Sequence, residues 1–179
     1  MANNISTFNV NCTDCPRLSK YLKEIRKKYP EYYAKPVSSF GSAHPQLLVV
    51  GLAPGLHGAN ATGRPFTGDH AGILLYQMLY KYGFSNNPIS RNANDGLKLK
   101  DSRITNAVRC LPPQNKPLGN EIDNCNRYLG EELENIKKEA LKYLNIFKDH
   151  PYIFNLGHGV MPETDPMKVD YLVKLVKDY

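Results

Sequence analysis

The chain has 179 residues, 41% of them hydrophobic and 22% charged, which suits one soluble globular domain with a buried core. No apolar run reaches the roughly 18–20 residues that cross a bilayer, and Met1-Ala2-Asn3-Asn4-Ile5-Ser6 has neither the basic nor the apolar part of a secretory signal. A membrane role is excluded on this reading, a cytoplasmic location is expected, and the net charge of +6 permits a polyanionic partner without establishing one.

Four cysteines stand at 12, 15, 110 and 125. In a cytoplasmic chain structural disulfides are disfavoured, so metal ligation leads. Cys12-Thr13-Asp14-Cys15 opens the fold, and its spacing lets two thiolates converge on one metal or cluster from a tight turn. Pro16 suits the first turn of a helix whose apolar residues, Leu18, Leu22, Ile25 and Tyr29, recur at helical steps. Arg17, Lys20, Lys23, Arg26, Lys27 and Lys28 line the same helix and read as a solvated basic face, with a phosphate-facing stripe as the sharper alternative. Pro30 ends it, and residues 34–45 read as a connection.

A short apolar strand is expected over Gln46–Val50, of the kind buried in parallel sheets. A glycine-bearing loop follows from Gly51 to Gly72, and a helix whose buried face is Ile73, Leu74, Leu75, Met78, Leu79 and Tyr82 comes next. Strand, loop and helix N-terminus in that order is where open α/β proteins bind ligands. The loop lacks both GxGxxG and the Gly-Lys-Ser/Thr end of a P-loop, so neither nucleotide motif applies. Phe66 and Asp69, three residues apart, are its candidate working side chains.

Residues 86–100 read as a polar surface excursion. A second strand, Ser102–Val108, carries Asn106 near its carboxyl end, level with the first loop if the two strands pair in parallel, and runs into Arg109-Cys110-Leu111-Pro112-Pro113. Apolar residues at Ile122, Cys125, Leu129, Leu133, Ile136, Ala140 and Leu144 predict one helix of about two dozen residues with Cys125 facing inward on its first turns. A third strand is expected over Tyr152–Leu156, and a last helix after Asp165-Pro166. Four thiolates suit a [4Fe–4S] cluster or a structural zinc, and spacing does not choose between them.

Gly-Leu-Ala-Pro-Gly at 51–55, Thr-Gly-Arg-Pro-Phe-Thr-Gly-Asp at 62–69, Ile-Thr-Asn-Ala-Val-Arg-Cys at 104–110 and the four cysteines resemble the iron–sulfur branch of the uracil-DNA glycosylases, in particular its family 5 type. The resemblance covers roughly residues 10 to 135. It implies a single α/β domain over 1–179, a three-layer αβα fold with a central, mostly parallel sheet, and a [4Fe–4S] cluster on Cys12, Cys15, Cys110 and Cys125. It also implies a monofunctional hydrolase that excises uracil or related deaminated bases from DNA, acting as a monomer.

Such an enzyme flips a base into a pocket, stacks it and hydrogen-bonds its edge. Phe66 is then the stacking ring, and Gly51, Leu52 and Ala53 offer backbone groups to the pyrimidine. The Asn106 amide, both donor and acceptor, suits the N3–H and O4 edge. Asp69 is the carboxylate that positions water against an oxocarbenium-like sugar, a role compatible with capping the helix behind it. His57 and His70 read as polar loop residues. The family's final strand and His-Pro-Ser loop have no counterpart here: His150-Pro151 precedes a strand, and His158 lacks the proline. The expectation is therefore a domain shortened internally and truncated or diverged at its C-terminus. The alternative is a catalytically impaired iron–sulfur DNA-binding homologue.

Overall fold

The computed structural model describes residues 8–147, with side chains described as far as residue 133. The expected strand over 152–156, the helix after Asp165, and His150 and His158 lie outside the described residues. The chain divides into two compact units, residues 1–136 and 137–179, and the site described below lies in the first. Among the described residues no helix is long and apolar enough to cross a membrane.

Helix α1 spans Pro16–Lys28, with Cys15 at its N-cap and Pro16 at its first position. Its buried residues are Leu18, Leu22 and Ile25, as the apolar spacing predicts. Arg26, Lys27 and Lys28 occupy its last turn, where cations complement the helix dipole. Strand β1 is the two-residue Phe40–Gly41, inside the stretch read as a plain connection. Strand β2 spans Leu47–Gly51 and β3 spans Ser102–Asn106.

The three form a mixed sheet in the order β1-β3-β2. β2 pairs with β3 in parallel, and β1 pairs with β3 antiparallel. Parallel pairing sets Gly51 opposite Asn106, so the glycine loop and the end of β3 leave the sheet side by side. Backbone bonds from Ala107 N–H to the Gly51 carbonyl (2.8 Å) and from Val108 N–H to the Leu52 carbonyl (2.9 Å) carry that alignment past the last residues of the strands. β3 is buried at four of its five residues, whereas the expected burial of β2 is only partial: Val50 is 45% exposed. Among the described strands β2 has a neighbour on one side only, which leaves it half-covered.

A one-turn helix, α2 (Ala59–Thr62), lies within the glycine loop, and α3 spans His70–Lys81. The predicted inward face of α3 is corrected. Gly72, Tyr76 and Leu79 are buried, while Ile73, Leu74 and Tyr82 are more than half exposed. The segment is apolar on several sides, so periodicity does not single out one face. The polar anchor of Tyr76, whose hydroxyl donates to the Pro65 carbonyl at 2.8 Å, does.

Helix α4 runs from Gly119 to Phe147 without a break. Its buried line on the described turns is Glu121, Cys125, Tyr128 and Glu132, beside the predicted apolar stripe, and Leu133 is 47% exposed. Two of those positions are carboxylates. They are buried because they are paired: Glu121 with the Arg17 guanidinium through two bonds of 2.8 and 2.7 Å, and Glu132 with Arg103 and Arg109.

Candidate active site

A cavity of about 160 Å³ opens at the carboxyl end of the parallel pair. Gly51, Leu52, Ala53, Gly55, Ala59, Phe66, Asp69 and Asn106 line it. The structure therefore brings together all six pocket residues read from the sequence. Gly55 and Ala59 are additions, because α2, which carries Ala59, gives no signal inside a loop.

Two glycines are there because no side chain fits. A Cβ on Gly51 would collide with Asn106 Oδ1 and come within 2.8–2.9 Å of the Phe66 ring. One on Gly58 would meet Asp69 Oδ2 at 2.6 Å. The backbone thus forms the floor on which Phe66, Asp69 and Asn106 approach one another. Phe66 has φ +54°, a left-handed conformation that costs a bulky residue energy and persists only where the surroundings impose it.

The surroundings that impose it come from behind the loop. Arg64, 2% exposed, donates to Asp95 Oδ1 and Ser90 Oγ, both at 2.8 Å, and to the Ala93 carbonyl, and its guanidinium lies 4.4 Å from the centre of the Phe40 ring. Thr67 Oγ1 shares a hydrogen bond of 2.7 Å with Ser90 Oγ. Burial raises the Asp95 carboxyl, but the backbone N–H groups of Arg91, Leu97 and Asn92 and the Arg64 guanidinium outweigh it and hold the pKa at about 2. The segment 86–100 is the surface excursion that the sequence suggests, and through Ser90 and Asp95 it also clamps the Phe66 loop. Its signal is the Asp95 carboxylate among turn residues, which sequence alone does not pair with an arginine 31 positions away.

Asp69 caps α3: its Oδ1 accepts the Gly72 N–H at 3.0 Å. Its second oxygen makes no hydrogen bond among the described residues and faces the Gly58 backbone. Asn106 is 3% exposed, and its side-chain amide has no hydrogen-bond partner among the described residues. The amide opens onto the cavity, where a ligand that pairs both its donor and its acceptor is favoured. His57, within the loop, has its Nδ1 2.7 Å from the Tyr32 hydroxyl and meets the stacked Tyr29–Tyr32 pair edge-on. His70 is exposed at the start of α3.

Four residues beyond Asn106 the same segment delivers Cys110. Cys15, Cys110 and Cys125 are buried together with α1 and the first turns of α4, and Cys12 is partly exposed. Burial pushes the Cys110 thiol up, and Cys125, Cys12 and Cys15 push it further. Burial likewise raises Cys125, against the opposing Arg109 backbone N–H, and Cys15, against the Asn124 amide. Donors from α4 point at sulfur: Asn124 Nδ2 lies 3.6 Å from Cys15 Sγ, and the Tyr128 hydroxyl 3.7 Å from Cys12 Sγ. Arg127 pairs with Asp14 between the first two cysteines.

The neighbouring charge is not balanced. Arg109 and Glu132 are each 1% exposed at the side chain, and Arg103 shares the same carboxylate, so two guanidiniums meet one carboxylate. Arg109 Nε and Nη1 are buried without a hydrogen-bond partner. Burial pulls the Arg109 pKa down and Glu132 pulls it back. An excess buried cation, orphan donors and four facing sulfurs fit an anionic, thiolate-ligated group. Among the described residues no three His, Cys, Asp or Glu side chains are gathered closely enough to hold a single metal ion.

The model of the uracil DNA glycosylase superfamily matches residues 38–162, a stretch that contains the whole pocket. The type-5 uracil-DNA glycosylase of Pyrobaculum aerophilum is 41% identical over 136 residues, 74% of this chain and 60% of that protein. Those of Mycobacterium leprae (46%) and Thermus thermophilus (45%) align over 68% of this chain and 56% and 58% of their own. This chain thus spans little more than half the length of these curated relatives. Sheet, pocket and family match coincide on one stretch, and the chain belongs to the uracil DNA glycosylase superfamily, within which it is similar to the type-5 proteins.

Proposed function

We propose that this chain is a monofunctional DNA glycosylase that hydrolyses the N-glycosidic bond of uracil, and of related deaminated bases, in base-excision repair. The observation that carries the reading is the Asn106 amide, without a partner among the described residues and facing a pocket shared with Phe66 and Asp69. A uracil turned out of the DNA stack lies on the Phe66 ring, and Asn106 pairs with its N3–H and O4. Backbone groups of Gly51, Leu52 and Ala53 hold the pyrimidine. The free Asp69 oxygen orients a water for attack on the sugar carbon as the bond to the base breaks. The names of the similar type-5 proteins support the substrate.

The same reading includes a single domain over 1–179, a three-layer αβα fold with a mostly parallel sheet, and a cytoplasmic monomer whose partner is uracil-containing DNA. It assigns a [4Fe–4S] cluster to Cys12, Cys15, Cys110 and Cys125, a set of four thiolates that suits such a cluster, with structural zinc as the alternative. The cluster would tie α1, the end of β3 and α4 together, so its chemistry here is structural.

Purified protein at stoichiometric amounts, incubated with uracil- and inosine-containing duplexes and followed by cleavage of abasic sites, tests the function. Abasic product from the uracil duplex is expected. Binding to DNA without product would leave the catalytically impaired iron–sulfur homologue as the correct description.

A further inference from the structure

A second cavity, of about 280 Å³, lies away from the pocket, between the N-terminal cysteine turn, α1 and the segment after it. Its lining includes Lys23 and Arg26 from α1, Lys35 beyond it, the neutral donors Asn11, Thr13 and Ser19, and Cys12 at the edge of the cysteine cluster. No carboxylate lines it, and the acid nearest in sequence to Thr13, Asp14, is engaged by Arg127. Arg26 spends one nitrogen on the Ala34 carbonyl at 2.7 Å, which fixes that guanidinium at the rim. Among the described residues Lys23 and Lys35 have no ion pair, and the Thr13 and Ser19 hydroxyls and the Asn11 amide have no hydrogen-bond partner.

Three cations and three idle neutral donors around one concavity, with no acid, are the chemistry that receives a tetrahedral anion. We propose that this cavity is a phosphate-binding site, separate from the base pocket. The proposal does not rest on the glycosylase reading: none of its residues lines the pocket of Phe66, Asp69 and Asn106, and Cys12, which the proposed cluster also uses, is not one of its anion donors. The phosphate has two possible sources: the backbone of a nucleic-acid strand, or a free phosphate group.

The test compares the full chain with the K23Q/K35Q variant, first by calorimetric titration with inorganic phosphate. Anisotropy of a labelled DNA duplex at several salt concentrations forms the second arm. Phosphate affinity is expected to fall roughly tenfold in the variant. If the source is a nucleic-acid strand, the slope of log affinity against log salt also falls by about 0.9 for each backbone phosphate that the variant no longer neutralises. If the source is free phosphate, that slope stays as in the wild type while phosphate affinity drops. K23R/K35R keeps both charges and is expected to retain binding. Thr13→Glu, which sets a carboxylate in the cavity and removes no cation, is expected to reproduce the loss. Wild-type phosphate affinity and salt slope in both K23Q/K35Q and Thr13→Glu overturn the proposal, as does a wild-type chain that takes up no phosphate and shows no change of slope.

Discussion

The segment from Ile104 to Cys110 joins two regions built on opposite terms. At one end, the pocket is held by the protein itself: Arg64, Thr67 and Asp95 brace the Phe66 loop and Asp69 caps α3 through one oxygen, which leaves the Asn106 amide and the second Asp69 oxygen without a partner among the described residues. At the other, four cysteines with raised or exposed thiols gather near Arg109, whose Nε and Nη1 are buried without a hydrogen-bond partner while Nη2 holds Glu132. A braced pocket is ready for a ligand that comes and goes. An unbalanced cluster of sulfurs is a place for a group that stays. On the proposed reading the first is the substrate site and the second the cofactor site.

The largest effects should come from the cysteine end. Cys110→Ser removes a buried sulfur from the centre of the cysteine cluster. It should abolish the broad visible absorption of protein purified without oxygen and lower the melting temperature sharply, since metal binding is also folding free energy. An unchanged spectrum would mean that the two regions do not differ as described. Next, Arg64→Met strands the Asp95 carboxylate behind the loop and should cost about 3 kcal/mol in chemical denaturation, because breaking a buried pair leaves an uncompensated charge. Its visible absorption should stay as in the wild type, which confines the damage to the pocket end.

Asn106→Ala should leave stability nearly intact, because the amide bonds nothing among the described residues, yet weaken binding of a uracil-containing duplex by about 1–3 kcal/mol. The smallest effect concerns pH. Asp95 titrates at about 2 in the folded chain against an ordinary 3.8. Its stabilising contribution is complete above about 4 and is lost as pH falls from there through about 2. Asp95→Asn should flatten that part of the stability curve, measured by denaturation across acidic pH.

Much of this is legible in the sequence. The spacing of Leu18, Leu22 and Ile25 predicts α1, and the two strands predict the parallel pairing that levels Asn106 with the loop. The pocket residues stand out because the glycines, Phe66 and Asp69 lie close together in the chain. What stays hidden depends on pairing between residues distant in the chain. The inward faces of α3 and α4 are fixed by Tyr76 on Pro65 and by Glu132 between two arginines, and polar anchors leave no apolar period. The clamp from Ser90 to Asp95 is concealed in the same way, since its turn residues read as solvent-facing until Arg64 is placed among them. β1 is too short, at two residues, to carry a strand pattern at all.

The central claim is that Asp69 works on a bound uracil as well as capping α3. Asn caps a helix as well as Asp does, so Asp69→Asn separates the two roles. The direct measurement is the single-turnover rate of uracil release from a duplex by wild type and Asp69→Asn. The account predicts release by the wild type and a loss of about 10²–10⁴-fold in the variant, with DNA binding and melting temperature retained. Equal rates in the two proteins would contradict it and leave Asp69 as a helix cap alone.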